Sequence, residues 1–265
     1  MSLDCDKPTG QVRSLTRALR LLRQLGERGE GMTLSELAEA VSLPPSTTHR
    51  LLTTLEAERF VRPDPQGGLW RVGVAAFHVG AAFARTRDRL ELARPYLAEA
   101  SDATGETASL MIESAGEALC IDQIESSHAV RAVTGLGGRV PLHCTASGKA
   151  LLAHGDPGRV RAVIGRDGLE RHTDATITDP RRLEDALAEV RALGYALDDE
   201  EYAAGLRCAA APILDATGRV LAAISISGPT ARIPSSRLAS LGRLMAQLAV
   251  SATRDHGGDA SLAAQ

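Results

Sequence analysis

The alternation of apolar and polar residues predicts three short helices in the first quarter of the chain. Over residues 14–27 apolar side chains recur every three or four positions, which predicts an amphipathic helix. These residues are Leu15, Ala18, Leu19, Leu22 and Leu25. Thr33 and Glu36 then form the Thr-x-x-Glu pattern of a capping box, which starts a second helix. Pro44 and Pro45 end that helix and begin a third, because proline lacks an amide hydrogen yet is tolerated in a first turn.

The third predicted helix has an apolar side and a polar side. At about 100° per residue, the inward positions are Thr48, Leu51, Leu52 and Leu55. The outward positions are Ser46, Arg50, Thr53 and Ala57, with Thr47 and His49 on the flanks. Two helices joined by a tight break form a helix-turn-helix, whose second helix can enter a DNA major groove. Hydroxyl and guanidinium groups contact phosphates and base edges, but an ordinary solvated helix face has a similar composition.

A hairpin and a further helix are predicted after the third helix. Two short runs, 60–62 and 69–72, flank a loop rich in proline and glycine, a pattern typical of a β-hairpin. A hairpin in this place is the wing of a winged helix, with Trp70 predicted on its inner face. Residues 73–90 are apolar on more than one face, so the helix predicted there needs a packing partner outside its own domain.

The remainder of the chain mixes strands and helices. Strands are predicted over 106–113, 118–124, 130–134, 195–198, 208–214 and 220–227. Helices are predicted over 91–103, 147–154, 156–164, 180–193 and 235–253. Asp179 and Pro180 begin the 180–193 helix and Gly194 ends it. Strands clustered at both ends of a helical middle predict an antiparallel sheet with helices, so the fold class is α+β.

Composition and charge narrow the class of protein. The net charge is −3, so any DNA affinity depends on where the arginines lie rather than on an overall positive charge. The four cysteines, Cys5, Cys120, Cys144 and Cys208, include no Cys-x-x-Cys pair, which argues against a zinc finger or a dithiol site. No apolar stretch is long enough to span a membrane and the first residues do not form a secretory signal, so we expect a cytoplasmic protein. No segment resembles a phosphate-binding loop or a metal cluster, so we expect no cofactor.

Three separated motifs carry a resemblance to a known family. Residues 43–52, Leu-Pro-Pro-Ser-Thr-Thr-His-Arg-Leu-Leu, resemble the helix-turn-helix signature of IclR-type bacterial transcription regulators. Residues 13–19 and 194–212 resemble the same family, and the likeness extends over roughly residues 12–254. It implies a winged helix-turn-helix domain over 12–73, a linker helix over 74–90 that pairs between subunits, and an effector-binding domain over 91–255 similar to GAF and PAS domains.

The resemblance implies a regulator that binds palindromic operator DNA as a homodimer or homotetramer. The candidate DNA-binding residues are Arg13, Arg17, Ser46, Thr47, His49, Arg50, Thr53 and Arg71. The arginines among them are those on which DNA affinity must depend.

The candidate effector site combines strand residues with the start of a helix. Ser225 and Ser227 are two residues apart, so they face the same side of a strand, and backbone amides at a helix start form an anion site. Resemblance to the branch that senses small 2-oxo acids such as glyoxylate implies a fuller set. The set comprises Ala146, Ser147, Asp198, Cys208, Ser225 and Ser227, with Val140 and Leu206 as pocket walls. The segment 144–146 departs from other members and leaves the exact ligand open.

An alternative is a hydrolase or thiol enzyme fused to a DNA-binding module. His143 and Cys144 are adjacent, and Cys208 is a second candidate nucleophile. A nucleophilic thiol needs a base within hydrogen-bond reach, and neighbours on an extended strand point to opposite faces. His143, Asp198 and Cys208 could also hold a metal, but a pocket of separate polar groups is the favoured interpretation. A purely architectural DNA-binding protein would not need the second half of the chain.

Overall fold

The computed structural model describes residues 12–64, 68–85, 92–129, 134–166 and 168–258. The chain folds as two compact units, Met1–Asp88 and Arg89–Gln265. Residues 130–133 of a predicted strand and residues 86–90 of the predicted linker helix lie outside the described part. Among the described residues, no helix is both long enough and apolar enough to cross a membrane.

The first unit is a small helical domain with a three-stranded sheet. Its elements are α1 (Arg13–Arg28), β1 (Met32–Thr33), α2 (Leu34–Ala40), α3 (Pro45–Ala57), β2 (Val61–Pro63), β3 (Leu69–Val72) and α4 (Val74–Arg85). The strands pair antiparallel in the order β1-β3-β2, which makes β2 and β3 the predicted hairpin. The two-residue strand β1 was not predicted.

Local sequence explains how the helix-turn-helix forms. Thr33 Oγ1 accepts a hydrogen bond from the Glu36 amide at 3.3 Å, and the Glu36 carboxylate accepts one from the Thr33 amide at 2.8 Å. The predicted capping box is therefore confirmed. Pro45 is the first residue of α3. Thr48 and Leu52 of α3 are fully buried, as the predicted inward face requires.

The predicted packing stripe of α1 is partly wrong. Leu25 is buried, but Leu15 and Leu19 are 57% and 55% exposed, and Leu21, which was not predicted, is fully buried. The apolar residues of α1 cover an arc of about 160°, and periodicity alone does not show which part of so wide an arc faces the core. The core lies towards Leu21 and Leu25, so Leu15 and Leu19 fall at its exposed edge.

The second unit is one antiparallel sheet covered by helices. Its elements are α5 (Arg94–Thr104), β4 (Thr107–Ser114), β5 (Glu117–Ile124), β6 (Arg139–Pro141), α6 (Ala146–Ala153), α7 (Pro157–Arg166), α8 (Pro180–Leu193), β7 (Ala196–Asp199), β8 (Leu206–Leu214), β9 (Val220–Pro229) and α9 (Ser235–Asp255). The strand order is β6-β5-β4-β9-β8-β7, and the recorded pairs are antiparallel. The predicted α+β class is confirmed, whereas strand β6 was not predicted.

The two faces of this sheet pack against different helices. Side chains alternate between faces along each strand, so Ile224 and Ile226 of β9 point one way and Ser225 points the other. The two isoleucines belong to a cluster with buried residues of α5 and α9. The opposite face joins Ala210 and Ala223 with buried residues of α6 and α8. We call this second side the polar face, because the predicted effector residues of β7, β8 and β9 lie on it.

Candidate DNA-binding and effector sites

The exposed side of α3 carries most of the predicted DNA-binding residues. Its exposed members are Ser46, His49, Arg50 and Thr53, and Thr47 is partly exposed. The buried residues Thr48 and Leu52 fix this helix on the core, so the polar residues are presented on a supported surface. The Thr53 hydroxyl donates to the His49 carbonyl at 3.0 Å within the helix.

The remaining predicted DNA contacts lie on α1 and on the hairpin. Arg13 and Arg17 are exposed and four residues apart, so they share one side of α1. Arg71 of β3 donates from Nε and Nη2 to Asp64 Oδ2 at 3.3 and 3.1 Å. Its charge is already paired within the wing, so DNA must compete with Asp64 for it.

One contact between α3 and the wing was not predicted. The rings of His49 and Trp70 meet edge to face, with centroids 6.4 Å apart. Trp70 also packs against the core of the unit, in agreement with its predicted inward position. The contact couples the orientation of α3 to that of the hairpin.

Strand register brings the predicted effector residues into neighbouring positions. Asp198 lies opposite Cys208, and Cys208 lies opposite Ser227. Residues directly opposite in an antiparallel pair share a face, so these three form one line across the polar face. Thr107 of β4 continues the line opposite Ser227, and Ser109 lies opposite Ser225 one step along.

Thr107 and Ser109 were not among the predicted site residues. Gln123 adds a third missed polar group, since its Nε2 donates to Ser109 Oγ at 3.0 Å. Thr107 and Ser109 alternate along β4 as Ser225 and Ser227 do along β9. That alternation was the signal in the sequence that Thr107 and Ser109 share a face of the sheet. The pairing of β4 with β9 joins residues more than a hundred positions apart, so a local sequence pattern cannot predict it.

The start of α6 packs over the polar face. Ala146 belongs to the same cluster as Cys208 and Ala210. Thr145 caps the helix by accepting from the Gly148 amide at 3.1 Å, and the amides of Ala146 and Ser147 stand in the turn where a helix has no internal acceptors. A Cβ on Gly148 would come within 2.4 Å of the Leu142 backbone, so glycine permits this close packing.

The two predicted wall residues lie apart in the sheet. Leu206 begins β8 opposite Pro229, on the same face as Cys208. Val140 is buried on β6, the edge strand farthest from β7 in the strand order. Val140 belongs to the cluster that includes residues of α6, but strand pairing does not make Leu206 its neighbour.

A buried charged group beside the line was missed by sequence reasoning. Lys149 of α6 forms an ion pair with Glu201, and both are buried. Asp198 Oδ1 accepts hydrogen bonds from the amides of Glu201 and Tyr202 at 2.8 and 3.3 Å. No described residue bonds Asp198 Oδ2 or Glu201 Oε2. A lysine inside the otherwise apolar helix sequence of α6 was the signal that a buried partner exists.

Burial is the main cause of the shifted pKa values of the two carboxyl groups, Asp198 and Glu201. It raises the pKa of Asp198 to about 7, with the Glu201 carboxylate adding to the effect and Lys149 opposing it. Burial also raises the pKa of Glu201. Near neutral pH, Asp198 is therefore present in both its protonated and its ionised form, and the protonated form can donate a hydrogen bond.

The cysteines do not have the properties of activated nucleophiles. Burial raises the pKa of Cys144 to about 12 and raises that of Cys208 well above its usual value. Reactive cysteines instead have lowered pKa values, because the thiolate is the nucleophile. These two thiols are neutral at physiological pH, which counts against the thiol-enzyme alternative.

An open groove of about 560 Å³ lies elsewhere on the second unit. It is lined by residues including Glu113, Pro141, His143, Glu170 and His172. None of the eight predicted effector residues, all of them described, is among its lining residues. The polar line and this groove are thus lined by different residues, and α6 packs on the side of the sheet that carries the line.

A winged helix-turn-helix followed by an antiparallel sheet covered by helices defines the class of two-domain DNA-binding transcription regulators. The chain belongs to the IclR family of transcription regulators. The IclR helix-turn-helix domain matches residues 14–65, and the domain described as bacterial transcriptional regulator IclR C-terminal matches residues 82–254.

Relatives along nearly the whole chain agree with this assignment. The chain is 42% identical over 252 residues to the transcriptional repressor IclR of Escherichia coli (strain K12), a match that covers 94% of this chain and 92% of the relative. It is 41% identical over 252 residues to the acetate operon repressor of Salmonella typhimurium (strain LT2), with coverage of 94% and 92%. The crystal structure of Thermotoga maritima IclR matches with a TM-score of 0.76 at 28% identity, covering 93% of this chain and 100% of that one. These relatives are regulators rather than enzymes.

Proposed function

We propose that this regulator binds a palindromic operator as a homodimer or homotetramer and that a small 2-oxo acid, glyoxylate, modulates that binding. The observation that carries the effector part is the line of Asp198, Cys208 and Ser227 under the start of α6. The Escherichia coli and Salmonella relatives are named repressors, which supports repression as the mode of action. The Salmonella relative is named for an acetate operon, which supports an effector drawn from the metabolism of small carboxylic acids.

Exposed apolar residues of the first unit support assembly into a dimer. Val74, Phe77 and Val79 of α4 are exposed, Phe77 by 71% of its surface. Leu15 and Leu19 of α1 add further apolar surface in the same unit. Large apolar side chains clustered on two helices favour contact with another protein surface over contact with water. A second copy of the chain would cover them and present two recognition helices to the two halves of a palindrome.

The chemistry of the polar line suits a small oxo acid. The Ser227 hydroxyl and the protonated carboxyl of Asp198 are hydrogen-bond donors for carboxylate and carbonyl oxygens. The Ser225 hydroxyl donates to the Ser109 carbonyl at 3.4 Å, and rotation about its Cα–Cβ bond would turn it to a ligand. The first amides of α6 add a site for negative charge. A large dianionic aromatic acid would bring a second carboxylate next to buried Asp198, where Lys149 is already paired with Glu201, and an unpaired buried charge is costly.

A thermal-shift screen tests the effector. Glyoxylate, pyruvate, allantoate and protocatechuate are compared on the wild-type chain and on the double variant Ser225→Ala with Ser227→Ala. Glyoxylate is expected to stabilise the wild type by about 2.7 kcal/mol at a hundredfold excess over its dissociation constant. The double variant should melt normally but gain nothing from glyoxylate. Stabilisation by protocatechuate alone, or equal stabilisation of the double variant by glyoxylate, would contradict the proposed site.

A further inference from the structure

Three potential metal ligands that are not among the predicted DNA-binding or effector-binding residues meet in the second unit. They are His143, Cys144 and His172, and one ligand atom from each lies within 4.8 Å of the other two. His143 and Cys144 precede α6, whereas His172 lies between α7 and α8. Residues nearly thirty positions apart are thus brought together by the fold. We predicted His143 as a possible metal ligand only together with Asp198 and Cys208, whereas in the structure it lies beside Cys144 and His172.

The donor set fits a borderline-soft divalent ion. Imidazole nitrogen and thiolate sulfur bind Zn²⁺ at roughly 2.0–2.3 Å in tetrahedral sites, which puts ligand atoms about 3.3–3.7 Å from one another. The three ligand atoms of His143, Cys144 and His172 are at most 4.8 Å apart. A movement of each atom by about an ångström or less towards the centre of the cluster would bring them to the spacing of a zinc site. Small rotations of the His143 and His172 rings supply such a movement.

The surroundings of His143 orient it as a metal ligand. Its Nε2 lies 2.9 Å from the carbonyl oxygen of Glu170. When Nε2 carries the proton and donates this bond, Nδ1 keeps its lone pair. Metal-binding histidines are commonly fixed in this way, because the second nitrogen donates to a backbone carbonyl or carboxylate.

The position of His172 is also supported. Its ring lies 6.0 Å from the ring of His143 and 5.4 Å from that of Tyr202, measured between centroids. Its backbone amide donates to Thr176 Oγ1 at 3.0 Å, and the Thr176 hydroxyl donates to the Glu201 carbonyl at 2.6 Å. The loop that carries His172 is therefore tied to the segment that follows β7.

An entry path completes the features that a metal site requires. His143 and His172 both line the groove of about 560 Å³, whereas Cys144 is fully buried behind them. An ion arriving through the groove would meet the two histidines first. Three protein ligands leave a fourth tetrahedral position, the arrangement of open zinc sites rather than closed structural ones.

We propose that His143, Cys144 and His172 bind one zinc-like divalent ion whose fourth position opens to the groove. On binding, the Cys144 thiol loses its proton to solvent and the sulfur donates an electron pair to the ion, with no change of oxidation state. Water or a small anion fills the fourth position. The cluster shares no residue with the line of Asp198, Cys208 and Ser227, although Cys144 lies within electrostatic reach of Asp198.

Titration of the full chain with Co²⁺ tests the site. The protein is stripped with a chelator, kept reduced, and followed by absorbance, and Zn²⁺ is measured in parallel by calorimetry. We expect one equivalent per chain, the intense visible bands of tetrahedral cobalt, and a thiolate-to-cobalt charge-transfer band. The His172→Ala variant should bind at least tenfold more weakly, and Cys144→Ala should lose the charge-transfer band.

Matched variants separate this site from adventitious binding. His128→Ala removes another exposed histidine, Cys120→Ala removes another buried cysteine, and Cys5→Ala removes a thiol outside the described residues. All three should leave the titration unchanged. His172 is exposed, so its variant keeps the test valid if Cys144→Ala does not fold. Absence of saturable binding at one equivalent, or binding unaffected by both His172→Ala and Cys144→Ala, would overturn the proposal. A glyoxylate thermal shift that persists in stripped protein would leave the effector proposal intact in that case.

Discussion

The recognition helix α3 and the polar face of the second unit use polar side chains in opposite ways. On α3, Ser46, His49, Arg50 and Thr53 are exposed, and their neighbours on the inner side hold the helix in place. On the polar face, Asp198 and Ser225 are buried among strands and helices. A residue on α3 can therefore change function without changing stability, whereas a buried charged residue on the polar face affects both.

The largest effect on stability is expected from the buried ion pair. Lys149→Met removes the positive partner and leaves Glu201 buried and unpaired, which should destabilise the chain by about 3–5 kcal/mol. Arg139→Ala breaks the exposed pair with Glu117 and should cost less than about 1 kcal/mol. Urea unfolding of both variants checks the contrast. Equal losses would mean that Lys149 is solvated in solution.

The next effect concerns pH. Burial raises the pKa of Asp198 to about 7, so the folded state holds a proton that the unfolded chain releases at lower pH. Stability should consequently fall as pH rises from about 4 to 7, by an amount on the order of 3 kcal/mol for this group. The charged and titratable groups facing Asp198 are Glu201, Lys149, Cys144, Cys208 and Tyr202. Asp198→Asn should flatten the profile and stabilise the chain above pH 7, as measured by denaturation across pH, and an unchanged slope would exclude Asp198 as its source.

A smaller effect, and one on function alone, is expected on the recognition helix. Arg50→Ala and Thr47→Ala should each weaken specific DNA binding by about 1–3 kcal/mol while the melting temperature stays near that of the wild type. Arg23→Ala on α1, an exposed arginine outside the predicted set, should leave specific binding nearly unchanged. Gel-shift titration distinguishes them. Full affinity in Arg50→Ala would mean that the wrong face of α3 was assigned to DNA.

The smallest effect is expected at the capping box. Thr33→Ala removes the cap of α2 and should lower stability by about 1 kcal/mol. DNA affinity should decrease only as far as folding does. The control is Thr54→Ala, because the Thr54 hydroxyl only donates to the Arg50 carbonyl inside α3. The stability of this variant should stay within about 0.5 kcal/mol of the wild type. Loss of DNA binding with native melting in Thr33→Ala would contradict a purely structural role.

The helix-turn-helix and the polar face also differ in how far the sequence predicts them. The helix-turn-helix is contiguous, and its capping box, its prolines and the face of α3 are local signals that the structure confirms. The pairing of Lys149 with Glu201 joins residues 52 positions apart and follows from tertiary packing, which no local pattern reports.

Intermediate cases show where local signals become ambiguous. The apolar residues of α1 span a wider arc than the part of the helix that contacts the core. Leu15 and Leu19 were therefore wrongly predicted to be packed, and the buried Leu21 was not predicted. Strand β6 has three residues and contains a proline, which leaves it without a strand pattern of its own. The predicted effector residues Asp198, Cys208, Ser225 and Ser227 lie on one face of the sheet, but Thr107 and Ser109 join them only through the pairing of β4 with β9.

Measurement of operator affinity with and without glyoxylate tests the central claim most directly. Operator fragments are selected with the wild-type chain, and binding is followed by fluorescence anisotropy for the wild type and for the Ser225→Ala, Ser227→Ala double variant. We predict that glyoxylate changes the operator affinity of the wild type and leaves that of the double variant unchanged, while both bind DNA equally in its absence. An operator affinity that does not respond to glyoxylate in the wild type, or that responds equally in the double variant, would contradict the account.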